Sequence, residues 1–327
     1  MGRDEKMART GDFALFVASR FIEPVERAFS EAFVTRFAES RDPIAELREA
    51  AGDFAGIAFS LDVPMRRPVI ESLPASVRVL ATYSVGTDHI DLEAARERGL
   101  AVFNTPGVLA DSVAENAIFL MLGAARRATE AIELLRQRAW HGWHPGQLVG
   151  RQMSGSTLGI LGMGDIGRRI AARARSFGMQ IHYCNRRPLP PELAQGAEYH
   201  PSIETLVAEV DFLVLACPAT DATRGIVNAD LLARARPELV LVNIARGDLV
   251  VDRALIDALQ SGRIQAAGLD VFAGEPAVHP DYFDLKNVFM LPHVGSATVE
   301  ARLGMGRILI DAIQHWRRGE PVTNRVC

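Results

Sequence analysis

The run Gly159-Ile160-Leu161-Gly162-Met163-Gly164-Asp165-Ile166-Gly167 places a G-x-G-x-x-G triad between two different periodicities. Ahead of it, Thr157–Leu161 is a short buried-strand pattern; behind it, Gly167-Arg168-Arg169-Ile170-Ala171 continues with helical character. Glycine triads are common in isolation. At a strand-to-helix turn, the triad points to a βαβ unit that holds a dinucleotide. Gly162 allows the tight turn, Gly164 lets the backbone approach a pyrophosphate, and Gly167 lets helix and strand pack closely. The free N–H groups and positive dipole end of the helix then hold the phosphates.

The residues beyond the triad refine the nucleotide. Nicotinamide sites that bind an unphosphorylated ribose place Asp or Glu about 20 residues on, at the end of the second strand. Here Gln180-Ile181-His182-Tyr183-Cys184 leads to Asn185-Arg186-Arg187-Pro188, with no carboxylate. Guanidinium groups hold a 2′-phosphate in charge-assisted bonds, whereas Asp or Glu would repel it. The expected cofactor is therefore NADP(H) in preference to NAD(H), with NAD(H) possible.

Apolar strand-like runs alternate with amphipathic helical stretches, the pattern of parallel α/β sheets. The first third offers strands at Phe13–Ala18, Ala32–Phe37, Gly56–Ser60, Arg78–Tyr83 and Leu100–Asn104. The middle offers Thr157–Leu161, Gln180–Cys184, Asp211–Ala216, Leu239–Ile244, Ala266–Val271 and Asn287–Leu291. The dinucleotide motif sits mid-chain, so one domain is expected to be inserted into the other. The fold expected is α/β, with two Rossmann-like open parallel-sheet domains, the cofactor domain inserted into a flavodoxin-like substrate domain. Residues 12–105 and 297–327 form the substrate domain in this reading, and 106–296 the dinucleotide domain. A long helical pattern runs from Asp111 to about Arg138, and a final helix from about Val299 to Arg318. A cleft between domains is where substrate and nicotinamide are expected to meet.

A chain of 327 residues with 48% hydrophobic residues can bury two sizeable cores. A formal net charge of −4 gives no basis for a nucleic-acid or acidic-membrane partner. Cys184, Cys217 and Cys327 are scattered and odd in number, which suits a reducing, cytoplasmic compartment. Met1 to Gly11 is polar, lacks the apolar core of a signal peptide, and is expected to fray. No apolar run approaches the ~20 residues of a membrane span.

In open α/β sheets, ligands bind beyond the carboxyl ends of the strands. Three apolar runs end on chemically capable residues: Leu239–Ile244 delivers Arg246-Gly247, Ala266–Leu269 delivers Asp270, and Asn287–Pro292 delivers His293. Spacing alone does not assign their roles. The chain resembles the D-isomer-specific 2-hydroxyacid dehydrogenases, and more narrowly their glyoxylate/hydroxypyruvate reductase branch. The segments that carry the resemblance are Val85-Gly86-Thr87-Asp88-His89-Ile90-Asp91, the Gly162–Gly167 triad and Asn243-Ile244-Ala245-Arg246-Gly247. Gly268-Leu269-Asp270-Val271-Phe272, Gly274-Glu275-Pro276 and Pro292-His293-Val294-Gly295-Ser296-Ala297-Thr298 complete them, spread over about two thirds of the chain in the family's order.

The resemblance implies roles. Arg246 binds the carboxylate or carbonyl oxygen of a small 2-oxo acid, His293 exchanges a proton with that oxygen, and Glu275 orients and charges His293. The backbone of Val85 and Gly86 helps hold the substrate, and Asp270 lies on the nicotinamide carboxamide side. Candidate cofactor contacts are Gly162, Met163, Gly164, Asp165, Ile166, Gly167, Asn185, Arg186, Arg187, Cys217, Pro218, Thr223, Ile244, Ala245, Arg246, Asp270, His293 and Gly295. Val113 stands where many relatives carry a hydroxyl residue, which implies one polar nicotinamide contact fewer.

The same resemblance implies a homodimer, embraced through an arm near residues 111–152. The segment Trp140-His141-Gly142-Trp143-His144 belongs to that arm; its two histidines have no Cys or carboxylate cluster beside them, so no metal is expected. The remaining histidines, including His89, His182, His200 and His279, read as surface or strand-end residues. The activity implied is NADPH-dependent reduction of glyoxylate or hydroxypyruvate. The alternatives are an NAD-dependent dehydrogenase of another D-2-hydroxy acid and a nicotinamide-sensing protein similar to corepressors that share these motifs. Turnover of glyoxylate with NADPH separates the enzymes from the sensor.

Overall fold

A computed structural model of the protein describes residues 13–49 and 54–327. The N-terminal segment up to Gly11 lies outside the described residues. The chain divides into two compact units: residues up to Leu109 together with Ala297–Cys327, and Ala110–Ser296.

The first unit is built on five parallel strands, β1 (Ala14–Val17), β2 (Val34–Phe37), β3 (Phe54–Phe59), β4 (Val79–Thr82) and β5 (Ala101–Phe103), in the order β2-β1-β3-β4-β5. That is the flavodoxin-like order. Every residue of β3 and β4 is buried, as expected for central parallel strands covered on both faces. The C-terminal helix Val299–Arg317 returns to this unit and lies against the helix Glu23–Ala32. Gly306 makes the approach possible, since a Cβ there would fall 2.7 Å from a Val25 methyl.

The second unit carries seven parallel strands: β6 (Thr157–Leu161), β7 (Gln180–Cys184), β8 (Glu198–His200), β9 (Phe212–Leu215), β10 (Val240–Asn243), β11 (Ala266–Leu269) and β12 (Val288–Met290). Their order is β12-β11-β10-β9-β6-β7-β8. Numbered within the unit, this is the dinucleotide-binding order 3-2-1-4-5-6 with one further strand at the far edge. The reversal of strand order falls between β6 and β9, beside the glycine loop. Edge strand β8 escapes the sequence patterning because its three residues, Glu198-Tyr199-His200, carry no apolar run.

The long helix expected from Asp111 to Arg138 is instead two helices, Ala110–Ala125 and Ala128–Arg136. Arg127 between them adopts a left-handed conformation, φ 56°. The cause is tertiary. The Ala125 carbonyl accepts the Arg151 N–H at 2.9 Å, and a Cβ on Gly150 would fall 2.3 Å from that same oxygen. A returning segment thus caps the first helix. The second helix buries none of its residues. Beyond it, Trp140 and Trp143 are exposed and lie outside regular structure. Among the described residues no helix is long and apolar enough to cross a membrane.

Candidate active site

The glycine loop leaves β6 and enters the helix Asp165–Ser176. Gly162 has φ 98°, and a Cβ there would fall 2.6 Å from the Cys217 nitrogen on the neighbouring loop. A Cβ on Gly167 would fall 2.4 Å from the Gly162 carbonyl oxygen. Both positions therefore exclude any side chain. Gly164, at the helix N-cap, faces open space: no heavy atom of the described residues lies within 4 Å of a Cβ built there. Two glycines close the turn and the third leaves its outer face bare, which is the cradle a pyrophosphate needs. The chain's own residues fit a dinucleotide.

At the end of β7, Asn185 accepts the Met163 N–H through Oδ1 at 2.7 Å, tying the second strand to the glycine loop. Arg186 and Arg187 follow on the surface, and among the described residues neither is held in an ion pair. On the loop after β9, Thr223 Oγ1 donates to the Pro218 carbonyl at 2.8 Å and accepts the Thr220 N–H at 2.8 Å. Cys217 begins that loop, with burial pushing its thiol up to about 11.

Three further strand ends bring the titratable residues of this unit together. After β10, the wholly buried Asn243 spans the turn, accepting the Ala245 N–H at 3.1 Å and donating to the Arg246 carbonyl at 2.8 Å. Arg246 Nη1 donates to the Ala245 carbonyl at 2.7 Å. Gly247 presses against the turn that follows β11; a Cβ there would sit 1.9 Å from the Phe272 carbonyl carbon. Asp270, at the end of β11, is only 1% exposed. Its two oxygens accept the Val294 and Gly295 N–H groups, each at 2.9 Å. Burial raises its pKa, partly offset by those two N–H bonds and the nearby His293.

His293 lies beyond β12 in the left-handed region, φ 52°. Its N–H donates to the Asp270 and Leu291 carbonyls at 2.8 and 3.1 Å. Its Nδ1 meets Glu275 Oε1 at 2.5 Å, while Glu275 Oε2 accepts the Phe272 N–H at 3.2 Å. Burial pushes the Glu275 carboxyl up, but the His293 hydrogen bond and charge, the Phe272 N–H and the charge of Arg246 outweigh it and hold the pKa below the ordinary value. The acid–base geometry follows from this contact. With Nδ1 committed to a carboxylate, Nε2 is the ring nitrogen left to exchange a proton with a ligand.

In the first unit, the loop after β4 carries Val85 and Gly86. Asn104 Nδ2 donates to the Val85 carbonyl at 2.8 Å and Ser84 Oγ to the Gly86 carbonyl at 2.7 Å. Both carbonyls are thus turned into the protein, and among the described residues the two N–H groups have no partner. Thr82 bonds both Ser84 Oγ, at 2.8 Å, and His89 Nε2, at 2.9 Å. His89 is buried in this network, neither at the surface nor at a strand end, the two places the sequence suggested.

The profile of the D-isomer specific 2-hydroxyacid dehydrogenase NAD binding domain matches residues 118–295. A glycerate dehydrogenase from Hyphomicrobium methylovorum is 39% identical over 298 residues, covering 86% of this chain and 92% of the relative. A glyoxylate reductase from Pyrococcus furiosus is 40% identical, over 86% of this chain and 85% of its own. The chain belongs to the D-isomer specific 2-hydroxyacid dehydrogenases. Among solved structures, an NADPH-dependent glyoxylate/hydroxypyruvate reductase from Sinorhizobium meliloti, in complex with NADP and malonate, superposes with a TM-score of 0.85 at 34% identity. The match covers 97% of each chain.

As a member of this family the protein is a nicotinamide-dependent oxidoreductase that interconverts 2-oxo and 2-hydroxy acids at the CH–OH carbon. Its second unit brings Glu275 and His293 into contact, with Arg246 close enough to act on Glu275 electrostatically. It leaves Asp270 with both oxygens occupied by the backbone that follows His293. Sequence reasoning gave no role to two supporting residues. Asn243, which shapes the Arg246 turn, shows as the one polar residue in the apolar run Leu239–Ile244. Ser112, whose Oγ donates to the Gly295 carbonyl at 2.6 Å, leaves no comparable signal, because its partner is 183 residues away.

Proposed function

We propose that this dehydrogenase reduces a small 2-oxo acid of the glyoxylate/hydroxypyruvate class, with NADPH as the preferred donor. The observation that carries the cofactor choice is the end of β7. The position that an acidic residue takes in an NAD site is Asn185, whose Oδ1 is engaged with Met163 N–H, and two exposed guanidiniums follow it. A 2′-phosphate meets donors there and no carboxylate from that strand end. The Sinorhizobium relative, described as NADPH-dependent, supports the reading.

When bound, the reduced nicotinamide supplies a hydride to the carbonyl carbon. The residues of this chain do the rest. Arg246 presents a planar fork suited to a carboxylate and the adjacent carbonyl oxygen. Protonated His293 gives its Nε2 proton to that oxygen, and Glu275 holds Nδ1 so that the ring keeps its orientation until transfer. In the reverse direction the neutral ring accepts the proton. The backbone of Val85 and Gly86 is assigned to the substrate carboxylate, and the exposed Trp140–Trp143 segment to a homodimer contact. The three free cysteines accord with a cytoplasmic location.

Steady-state kinetics with glyoxylate and hydroxypyruvate and both cofactors tests this reading. A charge-assisted hydrogen bond contributes about 1.5–3 kcal/mol, so one such contact predicts an NADPH preference of about tenfold or more in kcat/KM. R186A/R187A is expected to remove most of that preference and leave NADH turnover nearly unchanged, and the preference shrinks with added salt. Equal kcat/KM for the two cofactors in the unaltered enzyme overturns the assignment.

A further inference from the structure

The outer edge of the seven-stranded sheet carries a cluster that the dehydrogenase chemistry does not use. β7 and β8 pair in parallel with His182 opposite Glu198 and Cys184 opposite His200. Residues two apart in a strand share a face, so His182, Glu198 and His200 project from the same side of this edge pair. Glu209, just past the helix Ile203–Val207, reaches the same spot. One ligand atom from each of the four side chains lies within 4.8 Å of all the others. His182 Nδ1 and His200 Nε2 are 2.9 Å apart, and His182 Nε2 is 3.5 Å from Glu198 Oε2. The histidines are buried, 9% and 5% exposed; His200 is the strand-end residue the sequence suggested, closing β8, and neither lies at the surface.

We propose that His182, Glu198, His200 and Glu209 form a binding site for one divalent transition-metal ion, with zinc as the best match. Two imidazoles and two carboxylates are a donor set that zinc accepts, and together they neutralise its charge. The two nitrogens are close to the separation required, and Glu198, now beside His182 Nε2 on the ring edge away from His200, has to swing round to join them. A tetrahedral ion at about 2.0–2.1 Å from each nitrogen holds the two nitrogens roughly 3.3–3.4 Å apart. From the observed 2.9 Å, that is an adjustment of about half an ångström. The buried histidines are pre-positioned, whereas both glutamates are exposed. An ion entering from solvent meets the exposed carboxylates first and the buried nitrogens behind them, which provides the entry path a site needs. The cation facing the cluster is Arg236, and its guanidinium is turned to Asp211 at 3.5 Å. In the absence of an ion, the two rings share a single hydrogen between their facing nitrogens. Occupancy would pin β8, an edge strand of three residues with one strand neighbour, to β7 and to the segment after the helix.

Calorimetric titration of the chelator-treated full-length protein with Zn²⁺ is the test. The expected result is one equivalent per chain, accompanied by a rise in the thermal unfolding midpoint, in the unaltered protein and equally in H141A/H144A. E198Q/E209Q changes exposed residues, leaves the fold intact, and is expected to weaken binding about 10–100-fold; H182Q, checked for folding by its unfolding curve, abolishes it. X-ray absorption of the zinc-loaded protein should show two imidazole nitrogens. Absence of a stoichiometric equivalent overturns the proposal. So does an equivalent that survives E198Q/E209Q and H182Q unchanged, or one lost in H141A/H144A. In those cases the histidines are a neutral hydrogen-bonded pair and nothing more.

Discussion

Replacing Asp270 by Asn keeps the volume of a side chain that is 1% exposed and removes its charge and one of its two acceptors. In the native enzyme the carboxylate takes the Val294 and Gly295 N–H groups on separate oxygens, each at 2.9 Å. An Asn can satisfy only one of them and turns an NH₂ toward the other. Losing a hydrogen bond to a charged group costs about 1.5–3 kcal/mol, and an unpaired buried donor about 1–3 kcal/mol. The neutral side chain recovers part of this, because burial already disfavours the ionised carboxylate. The net expectation is a loss of about 2–4 kcal/mol in unfolding free energy. His293 should feel the change. Its left-handed backbone, φ 52°, costs about 1–3 kcal/mol and persists only while its surroundings impose it. With one tether gone, the ring leaves its line to Glu275, and kcat/KM should fall about 10–100-fold, the scale of a misplaced catalytic group. Urea unfolding, steady-state kinetics and cofactor affinity by fluorescence quenching measure the three quantities. A D270N enzyme within about 0.5 kcal/mol of native stability but with weakened cofactor binding would refute the reasoning. It would show that the carboxylate acts on the nicotinamide and does not hold the histidine loop.

Three further outcomes are expected. On the proposed proton-donor role, H293A should lower kcat by about 10²–10⁴-fold while most of the NADPH affinity persists; near-native turnover in that variant removes His293 from the proton path. G247A would place a Cβ 1.9 Å from the Phe272 carbonyl carbon; overpacking costs about 1–3 kcal/mol or more, and by separating the Arg246 turn from the Glu275 turn it should also depress kcat/KM. Native stability and activity together in G247A count against that packing. Glu275 has a lowered folded-state pKa, so its contribution to stability is present above its ordinary value of 4.5 and is lost as pH falls through the folded-state value. The stability gap between native and E275Q proteins should therefore close in acid. The gap should be small, because the Glu275 side chain is 34% exposed. A gap of equal size at neutral and acid pH, followed by urea unfolding, contradicts the linkage.

The strands were largely legible because parallel strands buried on both faces must be apolar throughout, and Leu239–Ile244 or Thr157–Leu161 cannot be mistaken for solvated loops. The glycine triad was legible for a related reason: two of its three positions tolerate no Cβ, so the local geometry writes itself into residue identity. Where structure depends on a distant partner, that legibility fails. The helix pattern from Asp111 continues past Ala125 without a Pro or Gly to stop it. It breaks because Gly150 and Arg151 return to the Ala125 carbonyl.

Residue order alone is enough to establish that this chain forms parallel α/β sheets, that it carries a dinucleotide turn, and that Arg246, Glu275 and His293 stand at strand ends or in turns. These are properties of short windows, where periodicity, turn chemistry and residue type act over a few neighbours. Tertiary structure alone decided that Asp270 turns both oxygens to the loop behind His293 and that Asn243 braces the Arg246 turn. It also decided that His182 and His200, 18 residues apart, meet nitrogen to nitrogen on one sheet face. Those facts depend on strand order and register, which are set by how separate segments bury their apolar faces against one another, and no local stretch of sequence records that pairing.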